Sequence, residues 1–164
     1  MTVHLRPIDP EDFAPYGVVL APRGDATRLD RFEVLVNQRP QARANLASVR
    51  ADRYDAPGFQ VHTLERHPDS SQTFFPLTAK RYLVVVCPST AEGAPDTSRL
   101  LAFEVPGDVG IHYFPGTWHT GIGVLEGVGD FLMVVHEDGS AGDCEFRSVE
   151  PVEVALTPGR PKAQ

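Results

Sequence analysis

The amino-acid sequence predicts an all-β protein, an antiparallel sandwich or barrel with one short helix near its N-terminus. Fifteen prolines and 14 glycines divide the 164 residues into short segments, which favours strands and turns over long helices. Short runs of strand-forming residues follow one another, and turn sequences such as Pro106-Gly107-Asp108 separate most of them. No long helix is predicted between these runs, which favours antiparallel pairing.

The first predicted element is the helix. Asp9 suits the N-cap and Pro10 the first helical position, and Pro15 and Gly17 end the helix within a few residues. The predicted strands follow in order: Phe32 to Val36, Phe59 to Leu64, Thr73 to Phe75, Tyr82 to Cys87, Leu100 to Val105, Ile111 to Phe114, Phe131 to His136 and Glu145 to Val149. We expect one domain over residues 1–156 and a mobile C-terminal tail over residues 157–164, which has no apolar pattern.

Charge argues against a nucleic-acid partner. Fifteen Lys and Arg residues stand against 22 Asp and Glu residues, a formal net charge of -7, which gives no attraction for phosphate backbones. The one loose basic cluster contains Arg39, Arg43, Arg50 and Arg53. We interpret it as a solvated loop or helix face.

Location is inferred from the N-terminus and the cysteines. The N-terminus lacks the pattern of a secretory signal, and no apolar run is long enough to span a bilayer, so no membrane partner is expected. Cys87 and Cys144 are expected to be reduced thiols. Together these observations favour a cytoplasmic protein.

Two short segments contain most of the chemically informative residues: Glu65-Arg66-His67-Pro68 with Gln72, and Phe114 to His119. Regular alternation from Phe59 would place Glu65 and His67 on one face with Val61, pointing into a barrel. An acid and an imidazole buried there are costly unless they pair or bind a ligand or metal. Alternatively the strand ends near Glu65 and the segment is an exposed loop, because Pro68 ends strand pairing.

These segments resemble a degenerate cupin pattern, in which histidines and an acid inside a small jelly-roll barrel hold a divalent metal. On this resemblance Glu65 and His67 take the positions of the two nearby histidines. Gln72 takes the position of the acid, and His119 that of the distant histidine. The implied fold is a cupin-like antiparallel β-barrel of the jelly-roll type.

A narrower resemblance covers residues 5 to 155 and is to the ureidoglycolate lyase family, a cupin-fold branch of allantoin catabolism. It rests on Leu64 to Pro68, Ser71-Gln72, Phe75-Pro76, Tyr113, Trp118-His119, Asp130 to Leu132, Asp143-Cys144 and an opening Phe13-x2-Tyr16-Gly17. The chain departs from the family pattern at Thr78-Ala79, at Thr120-Gly121, where a histidine and a proline are usual, and at Val135-His136, where an Asp-Arg pair is usual.

The resemblance implies a carbon-nitrogen lyase that cleaves (S)-ureidoglycolate to glyoxylate and urea in purine breakdown. It implies catalytic roles for Glu65, His67 and His119. The residues expected to contact the substrate, a small carboxylate, are Gln72, Tyr113, Trp118 and Asn37. Trp118 taken alone is more often a core or interface anchor, and Asn37 is equally compatible with a turn residue.

A divalent metal held by Glu65, His67, Gln72 and His119 is also implied. Nickel is suggested by resemblance, and iron, manganese and zinc suit the same mixed ligands. A homodimer is expected by resemblance. Two other functions remain open: a related cupin acting on another small hydroxy acid or ureido compound, and a non-catalytic carboxylate-binding cupin.

Overall fold

The computed structural model describes residues 1–22, 24–25, 27–54 and 58–156. The predicted tail at 157–164 lies outside these residues, and the single-domain assignment stays a prediction. No helix in the described ranges is both long and apolar enough to cross a membrane.

Strands dominate the described residues, which confirms the all-β class with a short N-terminal helix. The elements are β1 (Thr2–His4), β2 (Arg6–Pro7), α1 (Pro10–Phe13), β3 (Gly17–Leu20), β4 (Arg43–Arg53), β5 (Gly58–Arg66), β6 (Gln72–Pro76), β7 (Arg81–Cys87), β8 (Leu101–Pro106), β9 (Gly110–Tyr113), β10 (Trp118–His119), β11 (Gly123–Val124), β12 (Gly129–Glu137) and β13 (Glu145–Ala155), with 3-10 helices at Phe32–Val34 and Thr97–Arg99. The predicted N-cap of α1 is confirmed, because Asp9 Oδ1 accepts the backbone N–H of Glu11 at 2.8 Å and of Asp12 at 3.2 Å.

The strands form one curled sheet, in agreement with the predicted cupin-like barrel. Strand β12 lies between β4 and β6, β9 joins β6 to β3, and β7 joins β8 to β10 and β11. Most of the pairings are antiparallel, as predicted, whereas β1 with β13, β2 with β8 and β4 with β11 pair in parallel. These partners are far apart in sequence, so no hairpin connection constrains their direction.

Two apolar clusters lie on opposite faces of β7. The inner cluster combines residues from both halves of the curled sheet, among them Tyr82, Val84 and Val86 of β7 with Ile111, Tyr113 and Phe131. The outer cluster contains Leu83, Val85 and Cys87 of the same strand, with Leu64, Trp118 and Val154. Because β7 is buried on both faces, its sequence is a continuous apolar run.

Two parts of the predicted strand order are wrong. Residues Phe32–Val34 form a 3-10 helix, and Phe32 is 79% exposed, so this apolar run has no sheet to pack against. The long strand β4 (Arg43–Arg53) was not predicted, because most of its side chains are polar or exposed. It is held by antiparallel pairing with β12 along the whole of that strand.

Candidate active site

The candidate site begins where β5 and β10 meet. His119 of β10 is paired directly with Glu65 of β5 and with Val86 of β7. Val86 belongs to the inner cluster, so His119 also lies on the inner face, and its neighbour Trp118 lies on the outer one. The predicted inward orientation of Glu65 therefore agrees with its contact to His119.

The side chains of β5 do not alternate regularly between the two faces of the sheet, as the sequence-based prediction assumed. Phe59 and Val61 pack with the outer cluster, and so does Leu64, three residues further on. The paired strand β13 shifts register opposite this stretch, and such an irregularity changes which side chains face inward. The expectation that Glu65 shares a face with Phe59 and Val61 is therefore wrong.

His67 and His119 are the two imidazoles of the site. Their ring centroids are 5.9 Å apart, and the His119 ring stacks on Tyr113 at 4.2 Å. The Nδ1 atom of His67 lies 2.8 Å from the carbonyl oxygen of Asp143, and that of His119 lies 2.8 Å from the carbonyl oxygen of Thr117. A carbonyl oxygen can only accept, so both Nδ1 atoms carry a proton.

That tautomer leaves both Nε2 atoms with a lone pair whenever the rings are neutral. Both atoms are buried and have no hydrogen-bond partner among the described residues. Glu65 Oε1 lies 3.3 Å from His119 Nε2, outside hydrogen-bond geometry. A carboxylate facing an imidazole lone pair is repelled unless a proton or cation lies between them, so this pair is suited to holding a proton.

The electrostatics of the group set its charges near neutral pH. Burial raises the pKa of the Glu65 carboxyl, but contact with His119 and the charge of His67 outweigh it and bring that pKa below the ordinary value. Burial, followed by the positive charge of His119, lowers the pKa of His67. Glu65 is thus ionised and His67 neutral near pH 7.

Gln72 and Tyr113 lie on the adjacent strands β6 and β9, where they are directly paired. Both are buried, with exposures of 6% and 2%. Gln72 Nε2 lies 3.5 Å from the sulfur of Met133, and its Oε1 has no partner among the described residues. Burial places the pKa of Tyr113 well above its ordinary value, so its ring acts as a neutral support for His119.

The structure does not bring Trp118 and Asn37 to this group. Trp118 is fully buried in the outer cluster, with the Arg66 guanidinium 4.6 Å from its ring centroid. The side chain of Asn37 donates to the carbonyl of Ala42 and accepts the backbone N–H of Arg39, so it braces a turn. These contacts are those of a core anchor and a turn residue.

Asp143 contributes to the site, although in the sequence Asp143-Cys144 supported only the family resemblance and no role was assigned to it. It is 4% exposed, and besides the carbonyl that holds His67 its carboxylate accepts the backbone N–H of Asp69 at 2.7 Å and the hydroxyl of Ser70. It therefore fixes the loop that begins at His67. Because 76 positions separate Asp143 from His67, nothing in the spacing indicated this contact.

The metal ligands predicted from the sequence include atoms with suitable chemistry. His67 Nε2, His119 Nε2 and Gln72 Oε1 are buried donor atoms without partners in the described part of the chain, and a divalent ion would satisfy such atoms. Within that same part, however, no three His, Cys, Asp or Glu side chains are arranged to hold a metal ion. Any ion would thus depend on the Gln72 amide or on small movements of the side chains.

Two openings border the group, and both contain positions where the chain departs from the family pattern. One, of about 410 Å³, is lined by Thr63, Glu65, Gly121 and Phe146. The other, of about 270 Å³, lies beside His67 and is lined in part by Val135 and His136. The departures noted in the sequence are therefore next to the site.

Comparison with known proteins identifies the family of the chain. The family model described as ureidoglycolate lyase matches residues 1–156. A ureidoglycolate lyase of Pseudomonas putida (strain W619) is 33% identical over 153 residues, which cover 88% of this chain and 89% of that protein. One of Pseudomonas fluorescens (strain SBW25) is 33% identical over 161 residues, 93% of this chain and 94% of that protein. The chain belongs to the ureidoglycolate lyase family.

Proposed function

We propose that this protein is a lyase that cleaves (S)-ureidoglycolate to glyoxylate and urea, by breaking a carbon-nitrogen bond. One observation supports it above the others: a half-buried carboxylate and two imidazoles, whose Nε2 atoms are unpartnered among the described residues, meet in a member of the ureidoglycolate lyase family. A carboxylate and two imidazoles supply the base and acid that the reaction requires.

The substrate carbon bears a hydroxyl, a carboxylate, a hydrogen and the ureido nitrogen. His67 is neutral with a free Nε2, so it accepts the hydroxyl proton. The oxygen then forms the carbonyl of glyoxylate as the carbon-nitrogen bond breaks. The departing nitrogen takes a proton from His119 Nε2, where Glu65 stabilises the protonated ring at 3.3 Å.

Two neighbours orient these groups. Gln72 Oε1, a buried acceptor, accepts an N–H of the ureido group. Tyr113 stacks on His119 and keeps the imidazole in the plane that faces Glu65. Neither residue exchanges a proton in this mechanism.

The test of this assignment compares wild-type protein with Glu65→Ala and His119→Ala. Each variant should reduce the rate of urea formation by about 10²- to 10⁴-fold, the usual contribution of a positioned acid or base. Thr2→Ala serves as a control, because Thr2 lies on β1 at the edge of the sheet. Equal rates in wild type and both variants would contradict the assigned roles.

A bound divalent metal would change these roles. His67, His119 and Gln72, with Glu65, would hold it through the same atoms, and it would supply Lewis-acid polarisation of a substrate oxygen in place of the proton transfers at the two Nε2 atoms. Family resemblance favours nickel. We expect elemental analysis of purified protein to find about one divalent ion per chain, and His67→Ala to lose it. Full activity after chelation, in protein free of metal by elemental analysis, would refute the metal.

A related substrate is the second candidate. Thr120 is buried with an unpartnered hydroxyl among the described residues, and Gly121 and Val135 border the openings. These departures favour another small hydroxy acid or ureido compound if ureidoglycolate is not turned over. A cytoplasmic location is also proposed, because Cys87 and Cys144 are free thiols.

A further inference from the structure

We propose that Arg39 binds the substrate carboxylate, and that the cavity beside His67 takes a small 2-hydroxycarboxylate. The inference rests on the proposed function, whose reaction requires a group to hold the carboxylate while the hydroxyl loses its proton. No residue considered so far supplies a positive charge for that task.

The cavity has three buried polar atoms without partners. It is partly open to solvent and is lined by Arg39, His67, His136 and Ser140, with the acids Glu137 and Asp143 among its other residues. Arg39 Nε, His67 Nε2 and His136 Nδ1 each lack a hydrogen-bond partner among the described residues. Buried polar groups in native proteins are normally satisfied, so three unsatisfied ones lining a single cavity indicate a polar ligand.

The guanidinium of Arg39 is held rigidly. One terminal nitrogen lies 3.1 Å from a carboxylate oxygen of Asp138. The other donates to the carbonyl of His136 at 2.8 Å and lies 3.5 Å from Asp143. The side chain is only 10% exposed. A guanidinium fixed in this way loses little freedom when its Nε–H meets a further acceptor.

The two acids leave one donor of Arg39 free, because both contact its terminal nitrogens and its Nε–H has no partner among the described residues. Asp138 also accepts the backbone N–H and the hydroxyl of Ser140, and these bonds first of all lower its pKa to about 2. Asp143 also accepts the backbone N–H of Asp69 and the hydroxyl of Ser70. Each carboxylate is thus shared among several donors, and the Nε–H of Arg39 is the donor that remains for an anionic oxygen of a ligand.

The pattern of donors and acceptors specifies the ligand. Arg39 Nε–H is a charged donor, whereas His67 Nε2 is an acceptor because Nδ1 carries the ring proton. Their complement is an anionic oxygen next to a hydroxyl. A 2-hydroxycarboxylate presents both on adjacent carbons, and ureidoglycolate is one. Bound in this way, its hydroxyl would face the base.

The test is equilibrium binding of glycolate and of its neutral analogue glycolamide to purified protein. Glycolate should bind at least about tenfold more tightly than glycolamide, and Arg39→Gln should weaken glycolate binding by about tenfold or more. The affinity of Arg39→Lys for glycolate should lie between those of the wild type and Arg39→Gln. Arg81→Gln is the matched control, because Arg81 also pairs with two acids, Glu104 and Glu126, and should leave binding unchanged.

A measurement on wild-type protein covers the case in which the Arg39 variants do not fold. In ¹⁵N NMR of arginine Nε–H groups, glycolate should shift the assigned Arg39 resonance until saturation, and glycolamide should not. The proposal is overturned if glycolate does not bind, if it binds without moving that resonance, or if Arg39→Gln binds it as well as wild type.

The outcomes also separate this proposal from the proposed function. If glycolate binding depends on Arg39 but no urea is formed from ureidoglycolate, the subsite stands and the reaction does not. If urea is formed and Arg39→Gln has the KM of wild type, the reaction stands and the subsite is refuted.

Discussion

The two neighbouring imidazoles of the candidate site have different surroundings. His67 and His119 both hold their Nδ1 proton on a backbone carbonyl, but only His119 faces the Glu65 carboxylate at 3.3 Å. In the proposed mechanism the same side chain type therefore serves as a base in one place and as a proton donor in the other. Environment, rather than residue identity, assigns the roles.

This difference predicts the pH dependence of the reaction. The pKa of His67 is lowered, chiefly by burial, so the ring stays neutral and able to accept a proton below its ordinary titration range, about pH 6.5. The acid limb of kcat/KM should therefore have its midpoint below pH 6.5. A midpoint above pH 7 would show that another group is the base. Protein lacking the imidazole, His67→Ala, should lose this limb.

Residue types and spacing indicated part of the site. Glu65, His67, Gln72 and His119 could be selected from the sequence because they stand beside strands with pocket-like spacing, and the structure brings these four together with Tyr113. Arg39 and Asp143 could not, since their contacts join segments far apart in sequence. An arginine in a loose basic cluster has no local pattern that distinguishes a buried clamp from a solvated side chain.

The two-residue strand β10 contains one residue of the candidate site and one residue of the apolar core. Its alternation places His119 inward and Trp118 outward. Strand β5 shows why such patterns fail from sequence alone. Val61 and Leu64 pack in the same outer cluster, so its alternation changes between them, opposite the register shift of β13. Strand β4 was missed because its stability comes from pairing with β12 and not from apolar alternation.

Trp118→Ala tests this separation. Removing a fully buried indole from the outer cluster should lower the free energy of unfolding by about 3–5 kcal/mol, measured by urea denaturation. The KM of the folded fraction should stay within about twofold, because other side chains line the site. Trp118→Phe is the milder control. A large rise in KM with unchanged stability would instead make Trp118 a substrate contact.

The face of the sheet away from the inner cluster carries an exposed apolar surface. Leu46 is paired with Val134, and Phe75 with Leu132, across β4, β12 and β6. Leu46 is 70% exposed and Phe75 40%. Adjacent apolar side chains of this kind are typical of protein interfaces, which supports the homodimer expected from family resemblance.

Leu46→Glu tests that assembly. A charge placed on both copies of a shared patch should dissociate a symmetric dimer, so light scattering after size exclusion should change from the mass of two chains to that of one. Arg50→Gln, a change at an exposed position of the same strand, is the control. A wild-type protein with the mass of a single chain would contradict the homodimer.

In the proposed reaction the site releases urea from ureidoglycolate without hydrolysing it. The direct measurement is quantification of glyoxylate, urea and ammonia formed by purified wild-type protein from (S)-ureidoglycolate, with and without added nickel. Glyoxylate and urea should form in equal amounts, with no ammonia above the uncatalysed background. No product above background under either condition, or ammonia in place of urea, would contradict it.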